Sequence, residues 1–211
     1  MSKDIVVYGF DGSTYVRTVR MLPAEKGADY DQVPVNVLEG EPRQAEHLER
    51  HPFGKVPVLD HDGMRILETS AITRYLNDAL DGPSLIPDTA KDRARMDMAI
   101  GLFDSYGYGA LVGVAGFHLF PHFLGHPDEA FRRQSIEDAR KVLTELMKIR
   151  GDSPYIAGDK PTLADFYLAP ACFYVGLTED ASQVFDVPGF PAWWERVQQL
   201  ASYRATEPDL G

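Results

Sequence analysis

Strand-forming patterns are confined to the first 80 residues of this chain, and this confinement limits its fold more than any other feature. An apolar, β-branched run at residues 5–8 predicts a buried strand. His61-Asp62-Gly63 separates two further apolar runs, which predicts a β-hairpin. In chain order the patterns are a strand at 5–8, a helix at 13–26, a strand at 33–38, hairpin strands at 57–60 and 64–67, and a helix at 68–80.

Two prolines bear on the ends of these elements. Pro23 lies inside the first predicted helix, which predicts a kink or an early end, and Gly27 predicts the stop. Pro34 lies near the start of the second predicted strand. We therefore expect that strand to begin late or to lie at a sheet edge.

From about residue 91 the spacing of apolar residues is helical. A connector dense in turn residues precedes this region. We therefore predict an α/β domain at residues 1–80, a linker at 81–90 and an all-helical domain at 91–211. The predicted helices of the second domain are 91–116, 128–149, 162–176 and 192–201.

Composition excludes several classes of protein. Hydrophobic residues make up 44% of the 211 residues and charged residues 25%, as in soluble globular proteins. Lys and Arg number 21 against 32 Asp and Glu, a net charge of −11, which disfavours binding to nucleic acid or to an anionic membrane surface. The longest apolar stretches, such as 111–117, are far shorter than a bilayer span, so we expect no membrane partner.

Cysteine content and the N-terminal residues indicate the compartment. Cys172 is the single cysteine, so it cannot form an internal disulfide, and its apolar neighbours indicate a core residue. The N-terminal residues lead directly into the first strand without the pattern of a signal peptide. We expect a cytoplasmic protein.

Two local patterns indicate ligand binding. Pro57 opens a predicted strand after Val56, which makes it a candidate for a cis bond in a tight turn. Such a turn would leave the Val56 main chain facing outward, available to an extended, peptide-like ligand; a trans proline at a strand start is the alternative. At Glu68 and Thr69 a strand gives way to a helix, whose free amides suit a carboxylate, unless Thr69 or Ser70 simply caps the helix.

These patterns together resemble the glutathione transferase superfamily. The runs 53–59 and 67–76, with the hairpin between them, resemble its glutathione-binding domain. The run 155–165 resembles its helix-capping box, in which Thr162 and Asp165 form an N-capping pair, and 193–196 resembles its final helix. The resemblance runs nearly end to end. It implies a thioredoxin-like domain of order βαβ-ββα with a cis proline, followed by a helical bundle domain.

The resemblance also implies which residues bind glutathione. Val56, before Pro57, would pair with the cysteinyl main chain, and Glu68 with Thr69 would hold the γ-glutamyl amine and carboxylate. The superfamily usually has serine where this chain has Thr69, which keeps the hydroxyl and the amide. Cations suit the glycyl carboxylate. Lys55, and more weakly Arg43, would lie near that end of glutathione.

Ser13 follows the first strand and opens the first helix, which resembles the serine-type theta and phi classes. The resemblance implies that its hydroxyl donates a hydrogen bond to the glutathione sulfur. Three alternatives stay open: Ser13 only caps the helix, Thr14 is the donor, or Tyr8 activates the thiol as in tyrosine-type relatives.

Other residues carry further expectations. Phe53 resembles an aromatic anchor that several related classes insert into a partner subunit, so we expect a homodimer. His118, His122 and His126 have a spacing that could hold a metal, but Pro121 and Gly125 interrupt that helix, so we expect no metal site. Aromatic residues that could line an apolar pocket for a second substrate, or equally pack in the core, are Phe10, Tyr106, Tyr108, Phe117 and Phe120.

We therefore expect a glutathione transferase that activates the glutathione thiol for attack on a small apolar electrophile. Glutathione is the expected co-substrate, and no other cofactor is expected. The alternatives are a glutathione-dependent peroxide or disulfide reductase, and a catalytically silent glutathione-binding protein of the same fold. A zeta-class isomerase is less favoured, because Thr14 follows Ser13 where that class has a double serine.

Overall fold

The computed structural model describes residues 5–209. Contacts within the chain form two compact units. The first comprises residues 5–84 together with 199–209, and the second comprises residues 85–198. The predicted domains were 1–80 and 91–211, so the units differ from them mainly in the C-terminal segment, which joins the first unit.

The first unit is built on a four-stranded mixed sheet of order β2-β1-β3-β4. β1 is parallel to β2 and antiparallel to β3, and β3 is antiparallel to β4. The thioredoxin-like order βαβ-ββα is therefore confirmed. Its elements are β1 (Val6–Tyr8), α1 (Thr14–Lys26), β2 (Asp31–Val33), a 3-10 turn (Glu41–Arg43), α2 (Ala45–Arg50), β3 (Val58–His61), β4 (Met64–Leu67) and α3 (Thr69–Ala79).

The register brings three strand ends to one edge of the sheet. Tyr8, the last residue of β1, is paired with Val58, the first residue of β3. Val58 is also paired with Leu67, the last residue of β4. The loop after β1, the loop before β3 and the start of α3 therefore all emerge at this edge.

The second strand differs from its prediction at 33–38, because β2 covers Asp31–Val33. The Val33 carbonyl accepts a hydrogen bond from the Gly9 amide at 3.0 Å, after which Pro34 has no N–H to continue a ladder. The amide of Asn36 then donates to the Glu41 carboxylate, which folds the chain into a turn. The prediction of an edge strand is confirmed, but its position was wrong.

Of the two outcomes predicted for Pro23, a kink or an early end of helix α1, the early end does not occur. The helix runs on to Lys26, where Gly27 ends it with a φ of 70°. The Gly27 and Ala28 amides both donate to the Pro23 carbonyl, which closes the last turn.

The second unit is helical, as expected. Thr162 is the N-cap of its central buried helix. Its helices are α4 (Ala90–Leu102), α5 (Tyr108–Leu119), α6 (Glu129–Arg150), α7 (Leu163–Gly176), α8 (Ala181–Phe185) and α9 (Phe190–Gln198), with a π-helical segment at Phe103–Gly107 and a 3-10 turn at Pro121–Leu124.

One helical stretch, Ala90–Leu119, has the length of a membrane span and a best-window mean hydropathy of 1.2. Half of that window is buried inside the protein. A core helix of a soluble protein meets the same criteria, so the stretch is weak grounds for a membrane segment.

The last predicted helix, 192–201, is divided between the units. α9 ends at Gln198, and a separate helix, α10 (Ala201–Ala205), belongs to the first unit. Arg17 of α1 anchors α10, because its Nη2 donates to the Tyr203 carbonyl at 2.9 Å and its guanidinium lies 4.2 Å from the Tyr203 ring centroid.

Asp165 organises the start of α7, as the predicted N-capping pair with Thr162 requires. Its carboxylate is fully buried and accepts from the Thr162 amide at 2.8 Å and the Thr162 hydroxyl at 2.9 Å. It also accepts from the Ile156 amide at 3.0 Å and from Trp193 Nε1 at 2.8 Å. One side chain therefore joins the preceding turn, α7 and α9.

Asp165→Ala should lower the free energy of unfolding by about 3 kcal/mol, because it leaves several buried donors without an acceptor. Urea unfolding followed by circular dichroism measures this change. The exposed Asp159 is the matched control, and Asp159→Ala should change stability by less than about 0.5 kcal/mol. Equal losses in both variants would contradict this role for Asp165.

Candidate active site

Ser13 is the N-cap of α1 and lies at the sheet edge where the three strand ends meet. Its Oγ accepts a hydrogen bond from the Val16 amide at 3.4 Å, and its own amide donates to the Phe10 carbonyl at 3.0 Å. The side chain is half-buried. The hydroxyl uses a lone pair in this cap, so its proton remains available to donate to a ligand.

The loop that carries Ser13 is held closely against α1. A Cβ atom at Gly9 would lie 2.3 Å from Val16 Cγ2, so glycine is required at the start of this loop. Asp11 accepts hydrogen bonds from Arg20 of α1 and, at 2.8 Å, from the Asp209 amide of the C-terminal segment. These contacts fix the loop between the helix and the end of the described chain.

Tyr8 is engaged in a cluster of charged side chains. The Arg50 guanidinium carbon lies 4.7 Å from the Tyr8 ring centroid, and that of Arg65 lies 5.9 Å away. Hydrogen bonds from Arg65 lower the pKa of Asp60 most, and a hydrogen bond from Tyr8 contributes in the same direction. The Tyr8 ring is therefore held against the Arg50 and Arg65 guanidinium groups.

Thr14, the third hydroxyl considered, is 9% exposed and is the first residue of α1. Its carbonyl accepts from the Thr18 hydroxyl at 3.1 Å. Ser13 is thus the more accessible hydroxyl of the two at the helix start.

The Val56–Pro57 peptide bond is cis, as predicted. Pro57 is buried, Val56 is half-buried and Lys55 is exposed. Neither the amide nor the carbonyl of Val56 has a main-chain partner within residues 5–209. The main chain of Val56 is therefore available to an extended ligand.

Gly54 makes the turn before Lys55 possible. Its φ is 58°, and a Cβ atom there would lie 2.6 Å from the Pro42 carbonyl oxygen and 3.1 Å from Arg43 Cδ. Any side chain at this position would be both strained and obstructed. The same approach places the exposed Arg43 beside Gly54, one residue from Lys55.

Two buried histidines of the α2 region hold this loop, and the sequence analysis did not identify them. His47 Nε2 donates to the Lys55 carbonyl at 2.8 Å. His51 Nδ1 accepts from the Phe53 amide at 3.3 Å, and the His51 carbonyl accepts from the Gly54 amide at 2.9 Å. Burial lowers the pKa of His51 and so favours a neutral ring. The negative charge of Glu68 acts in the opposite direction and raises that pKa, but by less.

Glu68 occupies a strained position at the start of α3, with a φ of 70°. No side chain in the described part of the chain caps this helix, so neither Thr69 nor Ser70 acts as a simple cap. The Ala71 and Ile72 amides donate to the Glu68 carbonyl, whereas the two preceding amides lie ahead of any intrahelical acceptor. The start of α3 therefore offers the Thr69 amide to an anion.

The structure thus brings Ser13, Val56 and Glu68 with Thr69 to one edge of the sheet. Phe53 lies on the loop before β3 and is 72% exposed, as an interface anchor requires. Of the three histidines with a spacing that could hold a metal, His118 forms a hydrogen bond with Asp180 at 2.7 Å. Residues 5–209 contain no group of three side chains that could hold a metal.

The aromatic residues predicted for a second substrate are divided between the units. Phe10 belongs to the first unit and the other four to the second. Tyr106 is 67% exposed, Phe117 lies 5.8 Å from the Arg132 guanidinium carbon, and Phe120 packs edge-on against Tyr174. Tyr108 packs edge-on against Phe103. A pocket formed by these residues remains a prediction.

Comparison with protein families gives two matches. The model described as "Glutathione S-transferase, N-terminal domain" matches residues 3–78. The model described as "Glutathione S-transferase, C-terminal domain" matches residues 128–195. The two matches fall in the two predicted domains and in the predicted order.

Individual relatives cover nearly the whole chain. Glutathione S-transferase F10 of Arabidopsis thaliana is 30% identical over 184 residues, which cover 85% of this chain and 86% of that protein. Maleylacetoacetate isomerase of Pseudomonas aeruginosa is 30% identical over 216 residues, covering 96% and 92%. The structure of maize glutathione S-transferase I with an atrazine glutathione conjugate is 26% identical, with a TM-score of 0.84 and coverage of 97% and 96%.

Gly54→Ala should destabilise the fold by about 2–4 kcal/mol, because it combines a positive φ with a backbone clash. Gly63→Ala is the matched control, since Gly63 has a φ of 76° but no atom within 4 Å of an added Cβ. It should cost about 1 kcal/mol. Chemical unfolding gives both values, and a Gly54→Ala loss no larger than that of Gly63→Ala would contradict the close packing at Pro42.

Proposed function

Because the chain belongs to the glutathione S-transferase family and is therefore a transferase that uses glutathione, we propose that Ser13 activates the glutathione thiol. The observation that carries the proposal is the convergence of Ser13, Val56 and Thr69 at one sheet edge. Glutathione is the co-substrate, and we expect no further cofactor.

The main chain supplies much of the proposed glutathione site. Val56 presents an unpaired amide and carbonyl, which can pair with the cysteinyl main chain as a short antiparallel strand. The amides at the start of α3 and the Glu68 carboxylate match the carboxylate and the amine of the γ-glutamyl end. Lys55 and Arg43 supply positive charge for the glycyl carboxylate in a chain of net charge −11.

Activation of the thiol requires a modest free energy. A thiol with a pKa of about 8.5 is only about 7% ionised near pH 7.4. Lowering that pKa by about two units makes the thiolate the major form and requires about 2.7 kcal/mol of preferential stabilisation. A charge-assisted hydrogen bond from the Ser13 hydroxyl and the N-terminal end of α1 together provide stabilisation of this order.

The reaction then proceeds by nucleophilic attack. The bound thiol releases its proton to water, and the sulfur uses its electron pair to form a carbon–sulfur bond with the electrophile. In a substitution the leaving group departs with the electrons of its former bond. In an addition the carbon next to the attacked one takes up a proton from solvent.

We propose small apolar molecules as the electrophiles, because aromatic residues dominate the predicted second-substrate positions. The relative crystallised with an atrazine glutathione conjugate supports an aromatic electrophile. Peroxide or disulfide reduction would use the same thiolate, and a silent binding protein would keep the site without turnover. An assay panel of chloroaromatic, peroxide and disulfide substrates distinguishes these three.

Glutathione-dependent isomerisation is a second candidate, because the Pseudomonas aeruginosa isomerase is 30% identical over 96% of this chain. Thr14 stands where the zeta class has its second serine, and it is buried in the first turn of α1. Isomerisation of maleylacetoacetate at a rate above the transferase rate would favour this candidate.

Ser13→Ala should lower turnover on the order of 100-fold at neutral pH, because it removes one preorganised donor to the sulfur. Glutathione should still bind through Val56, Glu68 and Thr69. The variant's activity should recover as the pH rises toward the pKa of the free thiol, since base then ionises the sulfur. Steady-state assays from pH 6 to about 9 measure this profile.

Tyr8→Phe and Thr14→Val are the controls for Ser13→Ala, and both should keep most of the activity. A Ser13→Ala enzyme with the wild-type rate and pH dependence, together with an inactive Tyr8→Phe enzyme, would assign activation to Tyr8.

We also propose that the protein is a cytoplasmic homodimer. Phe53 is 72% exposed on a loop, and an apolar side chain this exposed is typical of an interface anchor. Sedimentation at micromolar concentration should give a species of twice the 23.5 kDa chain mass. Phe53→Ala should shift the equilibrium toward monomer, and a wild-type protein that sediments as a monomer would contradict the proposal.

A further inference from the structure

His47 lies in α2, outside the set of residues expected to touch glutathione, and is almost completely buried. It is 2% exposed, and its Nε2 donates to the Lys55 carbonyl at 2.8 Å. A carbonyl oxygen can only accept, so Nε2 carries the proton of the ring. The buried Nδ1 has no hydrogen-bond partner within residues 5–209. Among the described residues, the polar contact of the His47 ring is therefore with the main chain of the loop.

The Lys55 carbonyl belongs to the same peptide unit as the Val56 amide. In a planar trans peptide the carbonyl and the N–H point in opposite directions. A carbonyl that is held inward by a buried ring therefore turns the N–H of the next residue outward. His47 fixes the Lys55 carbonyl in this way, and the Val56 amide is directed away from α2.

We infer that His47 is a positioning residue for glutathione, acting through the orientation of the Lys55–Val56 peptide. The inference rests on the proposed function, in which the Val56 amide donates to the cysteinyl carbonyl of glutathione. His47 does not touch the ligand. It removes the freedom of the peptide plane to rotate before binding, which otherwise weakens each ligand hydrogen bond.

A second contact supports the same loop independently. His51 Nδ1 accepts from the Phe53 amide, and the Gly54 amide donates to the His51 carbonyl. These bonds hold the turn before Lys55 but leave the Lys55–Val56 peptide itself to His47. The orientation of that one peptide therefore depends on the His47 ring.

His47→Phe keeps an aromatic side chain in the buried site but removes the donor. The dissociation constant for reduced glutathione, measured by isothermal titration calorimetry, should rise about 10-fold, the loss of roughly one hydrogen bond. Turnover at saturating glutathione should stay within about twofold, because the contact is equal in the ground and transition states. His47→Gln, whose amide nitrogen can replace Nε2, should restore affinity to within about threefold.

His61 provides the matched control. It is also buried, at 5% exposure, and bonds through Nδ1 to the Tyr75 hydroxyl at 3.0 Å, away from the Lys55 loop. His61→Phe should lower the stability of the protein and leave the dissociation constant for glutathione unchanged. An equal loss of affinity in His61→Phe and His47→Phe would show a general effect of stability and overturn the inference.

A glutathione analogue gives a readout that a merely structural role would not change. In this analogue sulfur replaces the cysteinyl carbonyl oxygen, which makes it a weaker acceptor for the Val56 amide. The affinity lost on His47→Phe should be several-fold smaller with the analogue than with glutathione, because the two changes affect one hydrogen bond. Equal losses with both ligands would overturn the inference.

The wild-type protein allows a test if His47→Phe does not fold. Nitrogen-15 chemical shifts of His47 should show the Nε2–H tautomer, and an Nδ1–H tautomer would overturn the inference. A wild-type protein that binds no glutathione would instead refute the proposed function. Wild-type binding with unchanged affinity in His47→Phe would refute the role of His47 alone.

Discussion

Main-chain amides and carbonyls can bind a ligand only where they are not already hydrogen-bonded within the protein, and the proposed site depends on this constraint. Val56 and the first amides of α3 are main-chain groups at the edge of a sheet where neighbouring groups are paired. A local feature of the structure keeps each of these groups available to a ligand. The Lys55 carbonyl is bonded to a buried ring, and α3 begins after Glu68, which has a positive φ, without a side-chain cap from the described residues.

The sheet register determines how the hydroxyl of Ser13, the proposed donor to sulfur, meets these main-chain groups. Pairing of Tyr8 with Val58, and of Val58 with Leu67, brings the ends of β1 and β4 to the start of β3. A shift of one residue would move the loops apart and reverse the side-chain faces. The Tyr8 ring lies against the Arg50 and Arg65 guanidinium groups, whereas Ser13 is the half-buried N-cap of α1. This arrangement favours Ser13 over Tyr8 as the donor to sulfur.

Sequence patterns correctly predicted the features that depend on residues close together in the sequence. The hairpin, the Ser13 helix start and the Thr162–Asp165 capping pair are local, so spacing and residue type are enough to identify them. The position of β2 was wrong because its pairing ends with a distant bond to Gly9. α10 and the hydrogen bond of His47 to the Lys55 carbonyl were missed, because each depends on a contact with a residue whose position only the folded chain determines. The aromatic residues predicted for a second-substrate pocket have no local signature that separates them from core residues.

A titration of the bound thiol shows whether Ser13 lowers the pKa of bound glutathione. Ultraviolet absorbance of the thiolate, followed against pH with enzyme in excess, gives that pKa. We expect a pKa about two units below the free thiol's value of about 8.5 in the wild type, and a return toward that value in Ser13→Ala. The same lowered pKa in both proteins would exclude Ser13 as the group that activates the thiol.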